Sequence, residues 1–488
     1  MSNESWRPKL HVAPYSGSIS DPNGLCEFKG TYHFFCQNAP TYPGDVDSAH
    51  GWGHFATRDL VHYTFLGCHV FPDSPADKDG SYSGGAYINE DTDEVWFYFT
   101  GNVRDGEGDG TYSGRLANQT LMKSYNGINL QGKEVVLDNS GYPAYCSCHV
   151  RDPKVWKQDG KLHMMLGART REDSRGAIMM YDSEDGYKWE MTGSVTNLEE
   201  KPFGYMWECP DRIVLNGREF LSTCPQGMAK AADSCGSSRP TAQNVHAAGY
   251  FPIDGKIIDL MYQDTERMDA AAPRAAIDEK TCVDWDYGFD FYACQSLLDE
   301  QGRTILIGWM SLPHDEDDVR PYDNPTATWR GCLTVPRVLT YCEKCGRIRQ
   351  QPAAEIDALR GEPQNFDGSV TTAKCADIVL DGIEGEGTLR FGDFLELRFA
   401  DGMATLEFTD DTVGQGRKVR QAEVPELHNI RVLVDTSVLE IFVNNGSRVF
   451  GTRYFDESDE LTVSHDFKAA TQVCYPMDEV EVNYLVTR

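Results

Sequence analysis

The sequence predicts an all-β chain, a five-bladed β-propeller followed by a C-terminal β-sandwich, and three observations carry that expectation. Helical periodicity is scarce along the 488 residues. A pair of β-rich runs joined by a turn containing Gly or Asp/Asn recurs along the first two thirds of the chain. The last third changes to alternation of apolar and polar residues, the mark of strands with one packed face. A chain of 488 residues is also too long for one ordinary core, so two domains are expected.

The repeats are taken in order. Leu25 to Phe28 leads through Lys29-Gly30 into Tyr32 to Phe35, and Tyr87-Ile88 leads through an acidic turn at Asn89 to Asp93 into Val95 to Phe99. Val155-Trp156 leads through Gln158-Asp159-Gly160 into Leu162 to Leu166, and Ile213 to Leu215 leads through Asn216-Gly217 into Phe220-Leu221. Phe291 to Ala293 leads, after a longer stretch, through Glu300-Gln301-Gly302 into Ile305 to Ile307. The spacing of these turns is that of a propeller blade of about 40 to 50 residues plus insertions. A radial array of small sheets solves the edge-strand problem and leaves a central funnel. An irregular β-sandwich is the alternative that β-rich spacing leaves open. In the tail, Leu395, Leu397 and Phe399 alternate with Glu396 and Arg398 before Asp401-Gly402, and Val432, Val434, Leu439, Ile441 and Val443 precede Asn445-Gly446. The expected division is a propeller over 1–335, a linker over 336–355 with a short connecting element around Pro352 to Leu359, and a sandwich over 356–488.

Charge and composition narrow the function. Lys plus Arg total 45 against 76 for Asp plus Glu, a formal net charge of -31. That field repels phosphate backbones and anionic lipid, so neither nucleic acid nor a membrane is an expected partner. A neutral small molecule suits it. The charge disfavours a phosphorylated sugar, although a single Lys or Arg in the pocket reverses that. No apolar run has the length of a membrane span, and the first residues lack a basic segment followed by an apolar one. With 15 cysteines, an odd number, and no export signal in view, reduced thiols in the cytoplasm are expected. Two clusters, Cys146-Ser147-Cys148-His149 and Cys342-Glu343-Lys344-Cys345, invite a zinc reading. The second has metal-type spacing but no comparable second pair nearby to complete four ligands, so no metal is expected, and it reads as a hairpin turn. Association of identical subunits stays open.

Three acids stand at the start of the first strand of three repeats: Asp21 in Ser-Asp-Pro-Asn-Gly, Asp152 in Arg-Asp-Pro-Lys, and Glu208 in Trp-Glu-Cys-Pro-Asp. Innermost strands of a propeller line its channel, so these carboxylates converge there. The following prolines bias their predecessors towards an extended backbone, which aims the acids. Converging carboxylates repel and their proton affinities split, leaving one ionised nucleophile and one protonated general acid. Glycoside cleavage through an oxocarbenium-like transition state needs that pairing. Taken singly, each motif is also an ordinary turn.

The series of motifs resembles glycoside hydrolase family 32, the invertases and fructanases. Besides the three acidic motifs, Tyr32 to Asn38, Trp52-Gly53-His54 with Asp59 to Tyr63, Tyr82-Ser83-Gly84, Asp290 to Gln295, Trp309-Met310, Leu333 to Arg337 and Asp435 to Val443 follow the family's order over nearly the whole chain. The resemblance implies a retaining β-fructofuranosidase that acts on sucrose or fructo-oligosaccharides and needs no cofactor. It implies Asp21 as nucleophile on the anomeric carbon of a fructosyl unit and Glu208 as acid and then base. Asp152 would hold fructose hydroxyls, and Arg151 would orient the carboxylates and help keep Asp21 ionised. Gln37, Trp52, Tyr82, Ser83 and Ser20 would contact the sugar, with packing inside a blade as the second reading for Trp52 and Trp207.

The sequence departs from the family at Ser20, where the family usually has Asn, and at Gln37-Asn38-Ala39-Pro40. These positions bear on the substrate more than on the reaction. Three other functions remain open: a fructosyltransferase, an inverting five-bladed arabinosidase or xylosidase, and an inactive sugar-binding relative.

Overall fold

The structure is a computed structural model that describes residues 6–41, 50–230, 241–261, 275–311, 326 and 328–485. Five sheets, each built on antiparallel central strands, form a ring. Their innermost strands are Gly17–Phe28, Ser81–Asn89, Cys146–Gln158, Met206–Leu215 and Tyr292–Leu298. Each inner strand packs on the next and the fifth packs back on the first, closing a channel. The hairpins fall where the turn residues put them. Lys29-Gly30, Asp159-Gly160 and Asn216-Gly217 each take a positive φ at both residues (53° and 70°, 49° and 86°, 52° and 76°), the twist that a two-residue hairpin loop requires.

The expected linker, 336–355, is corrected by the sheet pairing. Arg337–Cys342 pairs with Thr304–Trp309 and Arg347–Pro352 pairs with Arg337–Cys342, so they are the third and fourth strands of the fifth blade. The Cys342 to Cys345 stretch is the turn of that outer hairpin. A 3-10 helix, Ala354–Leu359, then leads out. The last strand, Glu481–Tyr484, leaves the expected sandwich and pairs in parallel with His62–Phe65 at the outer edge of the first blade.

Between them, two six-stranded sheets face each other across a core that includes Ile378, Leu389, Leu397, Leu406, Val432 and Ile441. The strand Leu395–Ala400 alternates buried and open positions as expected. Val438–Val443 does not, because it is buried along its whole length. Its second face belongs to a contact in which Leu433, Phe442 and Val449 meet Ile305 and Val335 of the propeller and Ile356 of the connecting helix. A buried polar cluster seals this contact. Arg337 Nε lies 2.6 Å from Glu440 Oε2, and His11 bridges Asp435 (2.7 Å) and Glu440 (2.8 Å).

Candidate active site

Every inner strand carries a β-bulge near its start. Two residues on the inner strand stand opposite one on its partner between Ile19 and Pro22, Ser81 and Gly84, Arg151 and Lys154, Glu208 and Asp211, and Tyr292 and Gln295. A bulge re-aims side chains that a regular strand would send to alternate faces. Three bulges hold a non-glycine residue in the left-handed region: Asp152 (φ 65°), Cys209 (φ 47°) and Ala293 (φ 50°). The expectation that proline extends the preceding residue is therefore corrected at Asp152 and Cys209. The bulge dictates φ there, and the surrounding sheets hold the strain.

Asp21, Asp152 and Glu208 reach the channel from the first, third and fourth blades. Asp21 Oδ2 accepts a hydrogen bond from Ser83 Oγ at 2.7 Å. Asp152 Oδ2 accepts from the Cys209 N–H at 3.0 Å, and the Asp152 N–H donates to Thr100 Oγ1 at 3.0 Å. Glu208 Oε1 accepts from Arg151 Nε at 3.1 Å and from the other arm of the same guanidinium at 2.5 Å. Its Oε2 accepts from the Tyr292 hydroxyl at 2.7 Å. Arg151 also stands 3.9 Å from Asp152 Oδ2 and 2.7 Å from His149 Nδ1.

Burial raises Asp21 to about 6, and the charge of Glu208 adds to it, while Ser83 and Arg151 pull the other way. Burial likewise raises Asp152 to about 7, with Glu208 and Asp21 adding and Arg151 and the Cys209 N–H opposing. Burial and the neighbouring Glu208 charge thus favour the protonated forms of Asp21 and Asp152, and Arg151 opposes both. Burial works against the charge on Arg151, but Glu208 and Asp152 more than offset it and hold it firmly cationic. The floor below is closed by Lys154, whose Nζ is 2.9 Å from both Asp211 Oδ1 and the Ser296 carbonyl.

The other expected contacts divide. Ser83 bonds Asp21 directly, Tyr82 beside it is half-buried, and Ser20 is half-buried next to Asp21. Trp52 is a correction. It has 0% exposure and gives its indole N–H to the Tyr82 carbonyl at 3.0 Å, so it braces the Tyr82-Ser83 bulge and offers no open face to a sugar. Gln37 is buried and donates to the Ser81 carbonyl at 3.0 Å, tying the first blade to the second. Trp207 resolves as packing, fully buried and stacked on Phe251, with its indole N–H on the Phe203 carbonyl at 2.7 Å. Sequence reasoning missed Tyr292, although it directly precedes its bulge as Arg151 and Glu208 precede theirs. His149 was noticed only as part of a thiol cluster, and here it is the partner of Arg151. Among the described residues no His, Cys, Asp and Glu side chains group as a metal site.

Residues 11–352 match the Glycosyl hydrolases family 32 N-terminal domain and residues 399–482 match the Glycosyl hydrolases family 32 C terminal. The chain belongs to glycosyl hydrolase family 32 and is a glycosidase. It is 33% identical to the sucrose-6-phosphate hydrolase of Bacillus subtilis (strain 168) over 97% of this chain and 94% of that one. The structure of the sucrose-6-phosphate hydrolase from Lactobacillus gasseri superimposes with a TM-score of 0.81 at 27% identity, covering 98% of this chain and 94% of that one. The GH32 β-fructofuranosidase BmSUC1 of Bombyx mori gives a TM-score of 0.77 at 25% identity, with 99% and 96% covered.

Proposed function

We propose that the chain removes terminal β-D-fructofuranosyl units from sucrose, its phosphate or short fructo-oligosaccharides, with retention of configuration. The observation that carries this reading is the convergence of Asp21, Asp152 and Glu208, from three blades, on Arg151. Asp21, aimed by Ser83, attacks the anomeric carbon as Glu208 gives a proton to the departing glycosidic oxygen. Water, deprotonated by Glu208, then releases fructose from the Asp21 ester. Asp152 holds sugar hydroxyls and faces the positive charge that develops at the ring. Arg151 and Tyr292 fix the Glu208 carboxylate by hydrogen bonds to its two oxygens. In this reading the five blades through Pro352 are the catalytic unit, and every described cysteine being a free thiol supports a reducing, cytoplasmic setting.

The experiment is a panel of sucrose, sucrose 6-phosphate, kestose, inulin and levan, followed for released fructose. Fructose from at least one is expected. Release from none, with cleavage of an arabinoside instead, would overturn the reading.

A further inference from the structure

We propose that Arg115 and Arg169, on the funnel rim around His149, form an anion subsite for a phosphoryl group on the departing hexose, so that a phosphorylated sucrose is the preferred substrate. This inference rests on the fructosidase reading and adds the residues that would select among its substrates.

The chain has 76 acidic and 45 basic residues, a strong acidic excess. The guanidinium groups of Arg151, Arg115 and Arg169 nevertheless all act on one imidazole. Burial, and then these three cations, push His149 down to about 2 and keep it neutral. Arg151 is spent on Glu208. Arg115 and Arg169 form no salt bridge with any described carboxylate.

Both are held by aromatic rings instead. Arg169 lies over Tyr205 at 4.6 Å and over Tyr112 at 5.2 Å, and its Nε donates to Ser174 Oγ at 2.9 Å. Arg115 lies 5.8 Å from the Tyr82 ring, and its buried Nε has no hydrogen-bond partner among the described residues. Stacking on a ring leaves guanidinium N–H groups directed outward, ready for a planar or tetrahedral oxyanion. The segment carrying Tyr112 is fixed as well, since Asp109 Oδ1 accepts the N–H groups of Thr111 (2.9 Å), Tyr112 (2.7 Å) and Ser113 (3.2 Å).

Position supplies the rest. Tyr82 adjoins Ser83, which bonds Asp21, Tyr205 lies just before Glu208, and His149 contacts Arg151. A fructosyl ring bound between Asp21 and Glu208 turns its glycosidic oxygen to Glu208, so the leaving hexose lies outside it, towards this rim. A phosphate on that hexose supplies the negative charge that the two arginines lack. Charge-assisted bonds from arginine to phosphate are worth about 10- to 100-fold in binding each.

The test compares kcat/KM for sucrose 6-phosphate and for sucrose in the wild type, Arg115→Gln, Arg169→Gln and the double variant. Both substrates are measured on the same preparation, so any loss of folded protein cancels in the ratio. The wild-type ratio is expected to favour the phosphorylated sugar, and each substitution to lower it about 10-fold or more. Arg169→Lys, which keeps the charge, should recover most of the ratio. Inorganic phosphate should compete with sucrose 6-phosphate in the wild type and lose that effect in the double variant. A wild-type ratio at or below one, or a ratio that neither glutamine variant moves, overturns the subsite while sucrose cleavage leaves the fructosidase reading standing. Fructose release from neither sugar overturns that reading and the subsite with it.

Discussion

Replacing Arg151 with glutamine keeps hydrogen-bonding capacity beside Glu208 but removes the guanidinium that lowers the proton affinity of both Asp21 and Asp152. The magnitude follows from the geometry. Arg151 Nε stands 3.9 Å from Asp152 Oδ2, and at an effective dielectric constant of ~20 a unit charge pair at that separation is worth about 4 kcal/mol. That equals about three pKa units, an upper figure because water enters at the funnel mouth. Removing a cation raises a carboxylate, so both acids move further up from about 6 and about 7. The nucleophile must be ionised, so the acid limb of kcat/KM, set by Asp21 at about 6 in the wild type, should move to higher pH, by less than Asp152 moves because Arg151 is the weakest of the groups acting on Asp21. The assay is a pH profile of fructose release from sucrose between about pH 4 and about pH 9. Loss of rate with the acid limb unmoved would refute the electrostatic role and leave Arg151 as a positioning group alone.

Other outcomes follow from the same contacts. Asp21→Ala and Glu208→Ala should each abolish fructose release while the circular dichroism spectrum stays that of the wild type, and wild-type activity in either would overturn the assignment. Ser83→Ala removes the 2.7 Å bond to Asp21, a hydrogen bond to a charged group worth about 1.5 to 3 kcal/mol, so the acid limb should rise by about one unit or more. Far from the site, His11 is raised to about 9 by Asp435 and Glu440, against a burial penalty that works the other way. Its folded value lies above the unfolded one of about 6.5, so its contribution is fully present below that pH and is lost as the pH rises through about 9. The urea midpoint should therefore fall between about pH 6 and about pH 9.5 by the equivalent of roughly 3 kcal/mol, and His11→Gln should flatten that slope. A slope that His11→Gln leaves unchanged would assign the pH dependence to another group.

The hairpins were legible because their turns carry residues that tolerate a positive φ: Asp159-Gly160 and Asn216-Gly217 supply two each, and Gly30 supplies one after Lys29. The carboxylates were legible because each stands in a short motif, Ser-Asp-Pro-Asn-Gly, Arg-Asp-Pro-Lys or Trp-Glu-Cys-Pro-Asp, on a strand that precedes a recognisable hairpin turn. What the sequence hid was long-range pairing. Nothing local distinguishes Arg337–Cys342 as a blade strand from a linker, and nothing in Glu481–Tyr484 names the first blade as its partner. The full burial of Val438–Val443 depends on a second surface that alternation cannot report. Within the site, the left-handed backbone of Asp152 comes from a bulge, a relation between two strands, so the proline rule misjudged it. Trp52 and Gln37 were expected on the sugar and instead hold the backbone of Ser81 and Tyr82.

The chemistry turns on a bond between Asp21 and the fructosyl unit. Acid quenching of the enzyme during turnover of sucrose, followed by peptide mapping by mass spectrometry, measures that bond directly. The expected result is a fructosyl ester on the peptide containing Asp21, absent from Asp21→Asn, with fructose first released as the β-anomer. No adduct on Asp21, together with release of the inverted anomer, would contradict it.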